Sequence, residues 1–108
     1  MPDVKRAVRV ASEVRAELVT LLQRDISDER IRSVMITDVK LTDDLRNAKV
    51  YYRLFGDATD EAKKAAAKAL VGASGFLRRE VTQSLRMKFA PELRFYFDDR
   101  VDEALRVD

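Results

Sequence analysis

Cysteine and histidine are both missing from this chain of 108 residues. Without cysteine there is no disulfide scaffold, zinc ribbon or thiol nucleophile. Without histidine the commonest general acid–base group and the commonest metal ligand are gone as well. Tryptophan is absent and aromatics make up only 7% of the residues, so little large ring surface is available for stacking. Three glycines and two prolines are too few for a linker or a low-complexity tract. No apolar run approaches the ~18 residues of a membrane span. The first residues, Met1 to Arg6, lead into a mixed-charge amphipathic stretch and not into an apolar signal region. The expectation is a cytoplasmic protein with no membrane partner.

What is present is a core and a great deal of charge. Hydrophobic residues account for 46% and charged residues for 37%, which fits one soluble globular domain over residues 1–108, with 1–4 and 99–108 as flexible termini. The formal net charge of +2 is unevenly distributed. Between Ala62 and Arg94 stand Lys63, Lys64, Lys68, Arg78, Arg79, Arg86, Lys88 and Arg94 against only Glu80 and Glu92. The segments on either side are acidic on balance. A segregated basic block is the footprint of a polyanion binder, because phosphate contacts dominate nucleic-acid affinity. Most charge runs are nonetheless solvated helix faces, and charge alone favours that plainer reading.

The periodicity predicts an α+β domain. From Lys5 to Arg24, Ala7, Val10, Ala11, Val14, Leu18, Leu21 and Leu22 form the stripe of an amphipathic helix. The polar run from Asp25 to Arg30 reads as a connection. Ser33 to Leu41 alternates as a strand, Thr42 to Arg46 has turn chemistry, and Asn47 to Phe55 alternates again, giving an antiparallel hairpin. Ala48, Val50, Tyr52 and Leu54 share one face of the second strand. Asp57 or Thr59 caps a helix that begins near Glu61 and presents the small residues Ala62, Ala66, Ala69 and Ala73 with Leu70. Two glycines in Gly72-Ala73-Ser74-Gly75 predict a kink before the helical spacing resumes through Leu77, Val81 and Leu85. Leu93 to Phe97 is a third strand with Leu93, Phe95 and Phe97 inward. Three strands would then have helices on one face.

The kink carries the functional expectation. Glycines let a ligand approach the backbone, and the amides opening the following helix would be unpaired donors for a phosphate. Lys68 before the bend and Arg78 and Arg79 after it would clamp a sugar–phosphate chain. Arg86 and Lys88, with Arg6, Arg9, Lys63, Lys64 and Arg94, would extend the basic surface. The plainer alternative is a bend that wraps two short helices around a small sheet.

Several segments, in this order and spacing, resemble the ribosome-binding factor A family. They are Arg9-Val10-Ala11 leading to Glu17-Leu18 and Leu21-Leu22, Ile36-Thr37-Asp38-Val39, Asp44-Leu45-Arg46-Asn47-Ala48-Lys49-Val50-Tyr51, Ala73-Ser74-Gly75-Phe76-Leu77-Arg78-Arg79-Glu80, and Pro91-Glu92-Leu93-Arg94-Phe95 with Asp98-Asp99. The resemblance implies a type II KH fold of order α-β-β-α-kink-α-β. It further implies non-catalytic binding to the small ribosomal subunit and its rRNA precursor, late maturation with rRNA end processing, and a role in growth at low temperature. It places a helix–kink–helix around Ala-x-Gly, matched by Ala73, Ser74 and Gly75, where Gly72 also completes Gly-x-x-Gly. An assembly GTPase is allowed as the factor that releases the protein, and the Lys5–Arg24 helix with the Asp28–Arg30 connection is where ribosomal proteins could touch it. A monomer without cofactor or metal is expected.

Two other classes compete. Asp43-Asp44 and Asp98-Asp99 are paired carboxylates of the kind used in metal-dependent RNA-processing enzymes. The first pair lies in a turn that favours aspartate locally, and the second ends a strand. A protein–protein interaction module is the other rival, using Tyr51, Arg53, Phe55 and Tyr96 on an open sheet face. Salt separates the readings, since RNA binding weakens steeply with ionic strength.

Overall fold

The stripe of the first helix is buried as its spacing predicts. In a computed structural model that describes residues 4–100 and Leu105, α1 spans Val4–Arg24. Along it Ala7, Ala11, Val14, Leu18, Leu21 and Leu22 are all buried. The helix leads to a single turn, α2 (Glu29–Arg32), where the sequence reads as a connection. Asp28 caps it by accepting from the Arg30 amide at 2.9 Å, and Ile31 anchors it in the core. The expected flexibility of residues 1–4 and 99–108 concerns segments that lie largely outside the described residues.

The hairpin strands are β1 (Val34–Leu41) and β2 (Asn47–Leu54), paired antiparallel, and β3 (Glu92–Phe97) lies parallel to β2 on its other side. Ala48, Val50, Tyr52 and Leu54 are buried as expected. Simple alternation fails in β1. The register passes from Ile36 opposite Tyr52 to Asp38 opposite Tyr51, so Thr37 is an extra, bulged residue. The bulge switches the phase, and Val34 and Ile36 before it and Val39 after it all point inward. In the turn, Asp44 accepts from the Thr42 hydroxyl at 2.6 Å and the Arg46 amide at 3.0 Å, and Leu45 takes a left-handed φ of 63°.

After β2 comes one helix, α3 (Asp60–Ser84), capped by Thr59 through the Ala62 amide at 3.1 Å. This corrects the expected break, because the helix runs through Gly72 and Gly75 without interruption. Each glycine costs a helix about 1 kcal/mol relative to alanine. The alanine-rich run before them, and Leu70, Leu77 and Val81 buried in the core, hold the helix through that cost. A Cβ at Gly72 would meet nothing within 4 Å, and φ there is not positive. Gly72→Ala is therefore expected to stabilise the fold by about 0.5–1 kcal/mol. Urea denaturation checks this, and a loss of stability would mean that the helix does break there.

All the helices pack against one side of the sheet, with α1, α3 and the inner faces of the three strands sharing one core cluster. The Cα envelope measures 41 × 38 × 17 Å, the thickness of a two-layer structure. Among the described residues no helix covers the other face of the sheet.

Candidate nucleic-acid interface

Because α3 is unbroken, the amides at Gly72–Gly75 lie inside the helical hydrogen-bond ladder and are not free phosphate donors. That part of the expected site does not form. What forms is a stripe. Lys64, Lys68, Gly72, Gly75 and Arg79 follow helical spacing and are all exposed, on the side of α3 opposite its buried Ala66, Leu70, Leu77 and Val81. The two glycines leave the helix backbone bare in the middle of that stripe. Arg79 reaches back over it, with Nη1 3.6 Å from where a Gly75 Cβ would stand. Cations therefore flank a stretch without side chains. Ala73 and Ser74 are turned partly inward, and the Ser74 hydroxyl donates to the Val71 carbonyl at 2.7 Å.

Arg78 does not share the role expected of it beside Arg79. Its Nε donates to the Pro91 carbonyl at 3.0 Å and its Nη2 to the Ala90 carbonyl at 3.3 Å, with Glu92 3.5 Å away. It fastens α3 to the segment entering β3. One residue of helix rotation separates a fastener from an exposed cation.

Arg86 and Lys88 sit past the end of α3 in a second basic region. They line a groove of about 680 Å³ with Arg6 and Arg9 of α1, bounded by Asp44, Leu45 and Phe89 among others. Arg86 has a left-handed φ of 52°, and the Met87 amide donates to the Thr82 carbonyl at 3.0 Å. Together these close the helix in the manner usually given to glycine. An arginine held there puts a charge where the fold alone favours none. Sequence reasoning missed Phe89, exposed at 46%. The Arg46 guanidinium lies 4.1 Å from the centre of its ring and the Lys88 ammonium 5.5 Å. The proximity of the hairpin turn to the Phe89 loop left no mark in the local sequence.

One member of each carboxylate pair, Asp44 and Asp98, has structural work. Asp98 is buried and accepts from the Thr37 hydroxyl at 2.6 Å, the Arg100 amide at 3.1 Å, and Arg100 Nε and Nη2 at 2.9 Å each. The Arg100 side chain, then Thr37, hold its carboxyl far below the usual carboxylate range. The Thr42 hydroxyl, then the Arg46 amide, likewise lower Asp44. Among the described residues no three acidic side chains gather as a metal site, and no helix is long and apolar enough to cross a membrane.

A sequence profile described as Ribosome-binding factor A matches residues 6–108. The chain belongs to the ribosome-binding factor A family. It is 43% identical to Ribosome-binding factor A of Geobacter sulfurreducens over 103 residues, covering 95% of this chain and 86% of that one. It is 41% identical to the protein of the same name from Syntrophobacter fumaroxidans, covering 98% and 91%. Among solved structures, a Thermotoga maritima protein determined by solution NMR and described as a candidate ribosome binding factor A superposes with a TM-score of 0.71 at 35% identity, covering 89% of this chain and 90% of that one. A Thermus thermophilus ribosome binding factor A homology model, fitted into a cryo-EM map of a complex with the 30S subunit, superposes with a TM-score of 0.70 at 22% identity, covering 86% and 96%. The expected membership and the α+β fold, a three-stranded sheet with helices, are thereby established.

Proposed function

We propose that this protein is a single-domain, KH-like assembly factor that binds the small ribosomal subunit and its rRNA precursor without catalysis, in the cytoplasm, and promotes late maturation and rRNA end processing, including in the cold. The observation that carries this is the α3 stripe, in which exposed Lys68 and Arg79 flank a helix surface stripped by Gly72 and Gly75. A phosphate chain can lie close against such a surface while cations hold it from both ends. Arg86 and Lys88 with Arg6 and Arg9 extend the contact around the end of the helix. Ala73 and Ser74 shape the notch, and Arg78 supports it indirectly by fixing α3 to β3. Release by an assembly GTPase and contact with ribosomal proteins through α1 fit the same reading.

Six phosphate contacts, one for each of Lys68, Arg79, Arg86, Lys88, Arg6 and Arg9, predict an affinity for purified small subunits that falls about 1,000-fold between 50 and 200 mM salt. Co-sedimentation across that range tests it. An affinity indifferent to salt would favour a protein-only interface.

A further inference from the structure

Three cations occupy one row of the open sheet face. Lys40 of β1 stands opposite Lys49 of β2, and Lys49 opposite Arg94 of β3, so the row crosses every strand. All three side chains are exposed. Like charges directly opposed weaken a sheet, and among the described residues the acidic groups nearby do not relieve them. Asp38 is paired with Arg100 at 3.5 Å, and Glu92 with Arg78 at 3.5 Å. Among the described residues neither Lys49 nor Arg94 has an ion-pair partner.

The adjacent row is aromatic. Tyr51 faces Tyr96 across β2 and β3 with ring centres 5.8 Å apart. The Arg100 guanidinium covers Tyr51 at 4.5 Å from its ring centre. Tyr96 is 41% exposed, and among the described residues no cation lies over it. A row of unneutralised cations beside an open ring matches the chemistry of a single-stranded polynucleotide, which offers phosphates and flat bases at close intervals. A protein partner would call for an apolar centre depleted of lysine, and this patch has the opposite composition.

We propose that the open sheet face is a second RNA-binding surface, taking a single-stranded segment with a base stacked on Tyr96 and phosphates on the Lys40–Lys49–Arg94 row. It lies on the opposite side of the two-layer fold from the α3 stripe, so the domain is held between two RNA elements. The proposal rests on the reading of the protein as an RNA binder and adds the location and strandedness of a further contact.

With no tryptophan, the intrinsic emission comes from Tyr51, Tyr52 and Tyr96 alone. Octauridylate, which has no secondary structure, is titrated into the full chain while tyrosine emission and the anisotropy of labelled RNA are followed. The wild type is expected to show quenched emission. Tyr96→Leu and the pair Lys49→Glu with Arg94→Glu should each bind about tenfold more weakly, with unchanged thermal melting, while the same change of charge at two exposed arginines outside both surfaces, Arg24→Glu with Arg32→Glu, should retain binding to the oligonucleotide. Equal affinity in both sheet-face variants, or no oligonucleotide binding by the wild type, overturns the proposal. So does finding that those variants lose only self-association or a ribosomal protein. Salt-sensitive subunit binding that persists in any of these cases leaves the broader reading standing.

Discussion

Replacing Lys68 and Arg79 together with glutamate lowers the affinity for small ribosomal subunits about 100-fold at low salt and flattens the salt dependence by about two phosphate contacts. Both side chains are exposed and carry no ion pair among the described residues, so the fold loses little when they change. The binding surface loses two cations and gains two repulsive charges beside the bare helix backbone. Co-sedimentation at several salt concentrations measures both effects, and a melting curve matching the wild type's shows that the domain is intact. An affinity and salt slope left unchanged would remove α3 from the interface. Arg78→Glu is the instructive contrast. It breaks the bonds to the Ala90 and Pro91 carbonyls and places a carboxylate beside Glu92, so it lowers the melting temperature as well as binding.

Asp98→Ala destabilises the domain by about 2–3 kcal/mol. The carboxylate is buried and ties the Thr37 bulge of β1 to the end of β3, and its loss leaves the Thr37 hydroxyl without that partner. Arg100 is 46% exposed and regains water, which keeps the cost below that of a fully enclosed pair. The same carboxyl gives a pH signature. Its native value is depressed from the ordinary 3.8, so its contribution is complete above that value and is lost progressively as the pH falls below it. Asp98→Asn should therefore be less stable than the wild type at neutral pH, and the gap should narrow in acid. Urea midpoints between pH 7 and pH 2.5 measure this, and a constant gap would show that the ionised form is not what the site holds.

Most of the architecture was legible because it rests on local periodicity. The α1 stripe and the inward set of β2 each repeat for long enough to fix a face. The departures come from interactions that no local window contains. The β1 bulge depends on Thr37 meeting Asp98 across the sheet, and α2 is a single capped turn, too short to show a period. The glycines of α3 carry a real cost, but the helix continues because neighbouring alanines favour it and Leu70 and Leu77 are buried. The site divided for a similar reason. Which of Arg78 and Arg79 stays exposed depends on the rotation of α3 against the Ala90–Pro91 segment. The groove of Arg6, Arg9, Arg86 and Lys88 joins parts of the chain far apart in sequence.

The parallel pairing of β2 with β3 also shapes the order of assembly. The hairpin can close from neighbouring residues, but the central strand acquires its second partner only after the whole of α3 has crossed over. Long-range pairing of this kind is slow relative to hairpin closure. During synthesis, the nascent domain would leave one edge of β2 unzipped until Glu92–Phe97 emerges, and the Asp98 latch engages later still. A folding-rate measurement should find substitutions in β3 slowing sheet completion more than substitutions in the β1–β2 turn.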